Sequence, residues 1–178
     1  MSERGRILIA SHEGTFLLRF VGDVRLTLCI AIDDYFRQMF SDPNFAAVVV
    51  DLCQAQGLDS TSLGLLVKLA QETTRRTTKK PLLVSNRHDI DRLLASVGVN
   101  ELFETVENPS TSLLPEGELP EGEIDASHAL KDSDERTLRA RVLEAHQLLM
   151  SLNAANVDAF KDLVAQLESV DSRSGAST

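Results

Sequence analysis

The spacing of apolar and polar positions changes period several times along the chain. Arg6–Ala10 and Phe16–Val21 are short apolar runs separated by Ser11-His12-Glu13-Gly14, the pattern of a β-hairpin. In the second run Phe16, Leu18 and Phe20 share one face and Arg19 falls on the other. From Thr27 the period becomes helical. Leu28, Ile32, Tyr35 and Met39 recur at spacings of four, three and four, which predicts an amphipathic helix ending before Pro43. Ala46–Leu52 is a near-continuous β-branched run, expected as a strand buried on both faces. Leu63, Leu66, Val67 and Ala70 then stripe a second helix that runs to the basic stretch Arg75–Lys80. Leu82–Val84 reads as another short buried strand. Ile90, Leu93, Leu94 and Val97 mark a third helix, with Gly98 placed for a left-handed C-cap. Leu102–Val106 closes the series as a short strand or a turn of helix. The order β-β-α-β-α-β-α-β predicts an α/β domain over residues 1–107, a mixed β-sheet with packed helices.

The pattern changes again after residue 107. Asn108–Asp125 holds Pro109, Pro115 and Pro120, Gly117 and Gly122, and four glutamates, with no Lys or Arg. Prolines block continuous helix or ladder and like charges extend the chain, so residues 108–130 are expected as an acidic linker. Ser133 can cap a helix whose first turn carries Asp134 and Glu135. Leu138, Val142, Ala145, Leu149 and Leu152 follow with heptad-like spacing, and Asn153–Asn156 breaks and restarts the helix. Val157, Phe160, Val164 and Leu167 continue the stripe. Residues 131–171 are thus expected as a helical hairpin and residues 172–178 as a tail. Such a hairpin cannot bury both stripes alone. It needs the α/β domain, a second copy in a homodimer, or an additional partner.

Charge follows the same division. The 178 residues carry a net charge of −9. Residues 1–107 hold 12 basic and 14 acidic side chains, net −2, whereas residues 108–178 hold 6 and 13, net −7. An acidic chain with 4% aromatics and no Trp is a poor binder of phosphate backbones or unstacked bases. No apolar run approaches membrane-spanning length and no signal peptide opens the chain, which predicts a cytoplasmic protein without nucleic-acid or membrane partners. Cys29 and Cys53 sit in apolar stretches, as buried thiols do. The four histidines lack metal-ligand spacing, and neither a metal nor another cofactor is expected.

The chemical interest lies between Val48 and Leu66. A buried strand is expected to run out through Asp51, an exposed loop to follow, and Asp59-Ser60-Thr61-Ser62 to lead into the second helix. Hydroxyls at a helix start lie beside unpaired backbone N–H groups and the positive end of the helix dipole. Those donors would stabilise a phosphate attached there. The alternative is simple capping, because Ser, Thr and Asp are the usual N-cap residues. Gly64 is expected to permit close approach where the helix meets the sheet.

These residues resemble the STAS domain of bacterial anti-sigma factor antagonists. In that family a strand ending in Asp-Leu, a loop, and Asp-Ser-Ser/Thr-Gly-Leu-Gly open the second helix; the matching positions are Asp51, Leu52, Asp59, Ser60, Thr61, Leu63 and Gly64. Gly22-Asp23-Val24 stands for the family's Gly-Glu-Leu before the first helix. Leu93-Leu94, Val97-Gly98 and Leu102-Phe103 match near the end, so the resemblance spans about residues 5–107. Ser62 replaces the motif's Gly, and Arg25 stands where many members carry an acid. The resemblance implies a non-enzymatic phosphoprotein with Ser60 as the phosphorylation site, Thr61 and Ser62 being secondary candidates. It also implies partner switching in transcription regulation. Asp23, Gln56, Gly57, Leu58, Asp59, Ser60, Thr61, Ser62 and Leu63 would bind an anti-sigma factor or its kinase-like domain. A serine kinase would release that partner and a PP2C-type phosphatase would restore it.

Two other readings remain. One is a non-switching STAS scaffold subunit of a larger signalling or transport complex. The other is a serine hydrolase, for which Gly57–Gly64 lacks G-x-S-x-G and no P-loop is present. Asp33 and Asp34 are adjacent on a helix and point apart, which argues against a catalytic carboxylate pair. Arg75, Arg76, Lys79 and Lys80 form the one basic cluster and are expected to complement a helix C-terminus.

Overall fold

The computed structural model describes residues 3–106, 122–125 and 135–174. The described elements are β1 (Arg6–His12), β2 (Thr15–Val24), α1 (Leu26–Ser41), β3 (Ala47–Leu58), α2 (Ser60–Thr77), β4 (Leu82–Val84) and α3 (His88–Val97). A 3-10 turn (Val99–Leu102), β5 (Glu104–Val106), β6 (Gly122–Asp125), α4 (Glu135–Met150) and α5 (Ala154–Ser174) follow. The strands form one six-stranded sheet in the order β5-β4-β3-β2-β1-β6. β1 is antiparallel to β2 and β6, and the pairs β2/β3, β3/β4 and β4/β5 are parallel. This is the mixed α/β arrangement that the period changes predict.

One face of the sheet makes the core. Ile7, Phe16, Leu18, Phe20, Val48, Val50, Leu52 and Ile124 are buried there against Leu28, Ile32, Phe36, Leu66 and Leu69 of α1 and α2. Each such side chain contributes about 1.5–3 kcal/mol of transfer free energy. The other face is only partly covered. Val49 is half-buried rather than enclosed, and Asp51 is buried there through an ion pair with Arg19 at 2.8 Å. The central strand is therefore not apolar on both faces.

Two further departures from the sequence reading concern strands. β3 does not end in an exposed loop after Asp51. It stays parallel to Val21–Val24 through two register shifts and reaches Leu58. Within the stretch read as an acidic linker, Gly122–Asp125 pairs with Arg6–Ile9. Ile124 fills the core side opposite Ile7, and the flanking charges Glu123 and Asp125 suit a sheet edge. The last helix runs on to Ser174, three residues into the stretch expected as a tail, and the cap expected at Ser133 and residues 175–178 lie outside the described residues.

The C-terminal helices dock on the α/β unit through α4, which lies along α2, while α5 packs on α4. Gly64 serves this contact rather than the sheet. A Cβ built on Gly64 would stand 2.5 Å from Ala145 Cα, so the two backbones meet with no side chain between them. A buried carboxylate fixes the same junction. Asp33 of α1 accepts from Lys68 Nζ of α2 at 2.8 Å and pairs with Arg141 of α4 at 2.6 Å, and Lys68 also reaches Glu144 at 3.1 Å. Burial pushes the Asp33 carboxyl up, but the hydrogen bond and charge of Lys68, with Arg141 and Arg37, hold it below its ordinary value.

At the far end of α4 the turn is tied to α3. Asn156 Nδ2 donates to Val97 O at 2.9 Å and Leu149 O at 2.7 Å, and Asn153 Nδ2 donates to Val97 O at 3.2 Å. Val97 O is one of the carbonyls that a helix C-terminus leaves without an intrahelical partner. Asn153 Oδ1 meanwhile accepts from the Asn156 amide at 2.9 Å, so the residues that break the helix also restart it.

Two outcomes follow from this junction. Gly64→Leu should displace α4, lowering stability by about 1–3 kcal/mol in urea unfolding and raising amide exchange in α4 and α5. Asp33→Asn should cost about 1–3 kcal/mol by leaving Lys68 and Arg141 without the negative charge they share. Because the folded Asp33 carboxyl titrates below its ordinary 3.8, its contribution is complete above that pH and lost as the pH falls below it. Amide exchange of α4 measured across that range reads the loss directly.

Candidate functional site

The segment singled out by sequence folds around one carboxylate. Asp59 ends the run from β3 in an extended conformation and is the N-cap of α2. Its Oδ1 accepts from Ser62 N at 2.8 Å and from Ser62 Oγ at 2.8 Å. Its Oδ2 accepts from Leu26 N, the first residue of α1, at 3.0 Å. Two helices thus begin at one side chain, and the positive ends of both dipoles point at it. The parallel strands β2 and β3 end at the same place, the edge of an α/β sheet where ligands and partners are usually met.

Ser62 faces inward. It is fully buried, its Oγ donates to Val24 O at 2.9 Å, and it lies 3.4 Å from Cys29 Sγ. A phosphate on Ser62 would have to displace three packed groups, Val24 O, Cys29 and Asp59. Thr61 is 6% exposed, in a small crevice between α2 and α4 that Ala145 and Leu148 also line. Leu63 is 3% exposed and belongs to the core. These three candidates are closed to a docking protein in this conformation. Ser60, at the first position of α2, remains half-buried at the surface.

Around Ser60 the ends of β2 and β3 supply the surface. Asp23 stands opposite Gly57, pairs with Arg25 at 2.8 Å, and would meet a Cβ on Gly57 at 2.7 Å. Gln56 is exposed and Leu58 half-buried. Glu3 joins them, a contact the sequence gives no sign of, since Met1–Arg6 reads as a polar start. Glu3 N donates to Gln56 Oε1 at 2.8 Å, and Glu3 O accepts from Asp23 N at 2.9 Å.

Nucleophiles other than Ser60 are quiet. Burial pushes the Cys29 thiol up to about 12, and burial together with Asp51 pushes Cys53 up to about 11, so both are protonated at neutral pH. His12 lies at the β1–β2 turn and His88 opens α3. His146 is buried between α4 and α5, with Nδ1 2.6 Å from Val142 O and its ring edge-on to Phe160. Among the described residues no group of three or more His, Cys, Asp or Glu is placed to hold a metal ion. No described helix is long and apolar enough to cross a membrane.

Asp59→Ala removes the cap of two helices at once. With each cap contributing about 0.5–2 kcal/mol, the loss should exceed that of an ordinary N-cap deletion. Asp59→Asn, which keeps an acceptor oxygen, should recover part of it; thermal unfolding of both variants provides the comparison.

A family model for the STAS domain matches residues 6–111. Among solved structures, the anti-sigma factor antagonist SpoIIAA in its unphosphorylated form is similar in fold, at 10% identity and a TM-score of 0.51, over 58% of this chain and 90% of that one. An anti-sigma factor antagonist from Mycobacterium paratuberculosis aligns at 19% identity and a TM-score of 0.48, over 58% of this chain and 86% of that one. The Bacillus cell fate determinant SpoIIAA in its phosphorylated form aligns at 10% identity and 0.48, over 58% and 94%. No curated protein sequence matches the chain. β6, α4 and α5 lie beyond the family match. That match covers more than half of the chain and follows the sheet from β1 to β5, so the protein belongs to the STAS domain family.

Proposed function

We propose that this chain is an anti-sigma factor antagonist that exchanges partners through phosphorylation of Ser60. The observation that carries the reading is the position of Ser60: of the three hydroxyls at the start of α2 it is the one not buried. It stands where two helix N-termini converge. Unphosphorylated, the surface formed by Asp23, Gln56, Gly57, Leu58 and Ser60 binds an anti-sigma factor or its kinase-like domain in the cytoplasm. Phosphorylation adds about −1.5 to −2 charge beside Asp59 and Asp23. Against an acidic or apolar partner surface this repulsion weakens the complex by roughly 10²-fold. A PP2C-type phosphatase returns the serine to its binding form.

A second reading has its own observation. α4 covers the outer side of α2, and neither α4 nor α5 falls within the family match. A non-switching STAS scaffold would use such an added element for fixed assembly. The outer side of α5, with Val157, Leu163 and Val170 exposed, would then receive an additional partner or a second copy.

The two readings separate on Ser60. Under the switching reading, a serine kinase of the anti-sigma type with ATP labels the peptide 51–68 at Ser60, and Ser60→Ala abolishes the label. Ser60→Ala keeps full affinity for that kinase's binding domain, and Ser60→Asp loses about 10²-fold in calorimetry. Equal affinity of parent, Ser60→Ala and Ser60→Asp overturns the switch.

A further inference from the structure

Away from Ser60, the C-terminal halves of α1 and α2 line a cleft of about 560 Å³, to which α4 adds Arg141. Its floor is aromatic. Phe36 and Phe40 of α1 are 2% and 7% exposed, with their rings in edge contact at 6.2 Å. Its walls are cationic: Arg37 from α1, Lys68, Arg75 and Arg76 from α2, and Arg141 from α4. Against these five stand two carboxylates, Asp33 and Glu72. Asp33 is shared by Lys68, Arg141 and Arg37, and Glu72 by Arg75 and Arg76 at 2.6 and 2.7 Å. Just outside the lining, Asp34 pairs with Arg37 at 3.3 Å and Glu144 with Lys68 and Arg141 at 3.1 Å, which leaves a surplus of one positive charge in a chain whose net charge is −9.

The basic stretch at the end of α2 is therefore not only a complement to a helix terminus. Arg75 turns back to Glu72 at the mouth of the cleft, and the Arg76 guanidinium lies 5.5 Å from the centre of the Phe40 ring. An apolar floor with convergent cations at its rim is the form of a small-molecule site, and its volume suits a molecule of fatty-acid or bicyclic-aromatic size. A hydrocarbon body would lie against the aliphatic stems of the rim and reach the rings only by displacing Arg76 from Phe40, while Arg37 and Arg75, 69% and 68% exposed, would exchange Asp33, Asp34 and Glu72 for a head group.

We propose that this cleft binds an amphipathic organic anion, a carboxylate carrying an acyl or aromatic body, held by the phenylalanine floor and the arginine rim. The site is separate from Ser60 and independent of the switching reading.

The fluorescent anion 8-anilinonaphthalene-1-sulfonate tests it on the full chain. The dye should gain fluorescence at one saturable site, and decanoate below its micelle concentration should displace it, whereas decanol and decyltrimethylammonium should not. The double variant Arg37→Gln/Arg75→Gln changes two exposed side chains, so its circular dichroism should match the parent while its affinity for decanoate falls roughly tenfold, about 1.4 kcal/mol. Absence of a dye signal that decanoate displaces overturns the proposal. So does equal competition by decanol, an unchanged affinity in the folded double variant, or binding to phosphatidylglycerol vesicles without binding of monomeric decanoate.

Discussion

The carboxylate of Asp59 is the constraint on which the rest of the site depends. It accepts from the first turn of α2 through one oxygen and from the first residue of α1 through the other. A side chain with a single acceptor would leave one of the two helix starts unsatisfied, and a longer one would change their separation. With both helices fixed at their N-termini, α1 and α2 pack on the same sheet face. That junction presents Ser60, and the cleft lined by Phe36 and Phe40 lies between the other ends of the same two helices.

The second organising fact is that α2 is enclosed on nearly all sides from Thr61 to Ala70. The sheet covers one side, α1 flanks it, and α4 lies over the side that an isolated domain of this size would leave open. The enclosure rests on unlike devices: a glycine with no side chain to interpose, and a buried acid that draws Lys68 and Arg141 from different helices. The acid fixes register because its partners must be in place together; the glycine only permits the approach.

Much of this was legible in the sequence, and the gaps have physical causes. The hairpin, the helical stripes and the left-handed Gly98 were readable because each depends on neighbours in the chain. β6 was hidden because four residues with two charges and one buried isoleucine carry almost no period, and nearby prolines argue for a linker. The extension of β3 was hidden because Gln54, Gln56 and Gly57 have loop composition and are held by pairing to β2 across two register shifts. Gly64 announces a close approach without saying what approaches. The inward turn of Ser62 depends on Val24 and Cys29, remote in sequence, so local pattern could not separate it from Ser60.

The contact between Gly64 and Ala145 joins residues far apart in the chain, and it bears on biosynthesis. On the ribosome β1–β5, with α1–α3, emerge before α4 exists, and domains generally fold from the N-terminal side. During that interval the outer side of α2, including Thr61 and Leu65, has nothing over it. A nascent chain thus passes through a form whose accessible surface differs from that of the finished protein. That form is closed not by a ligand or a modification but by the arrival of α4.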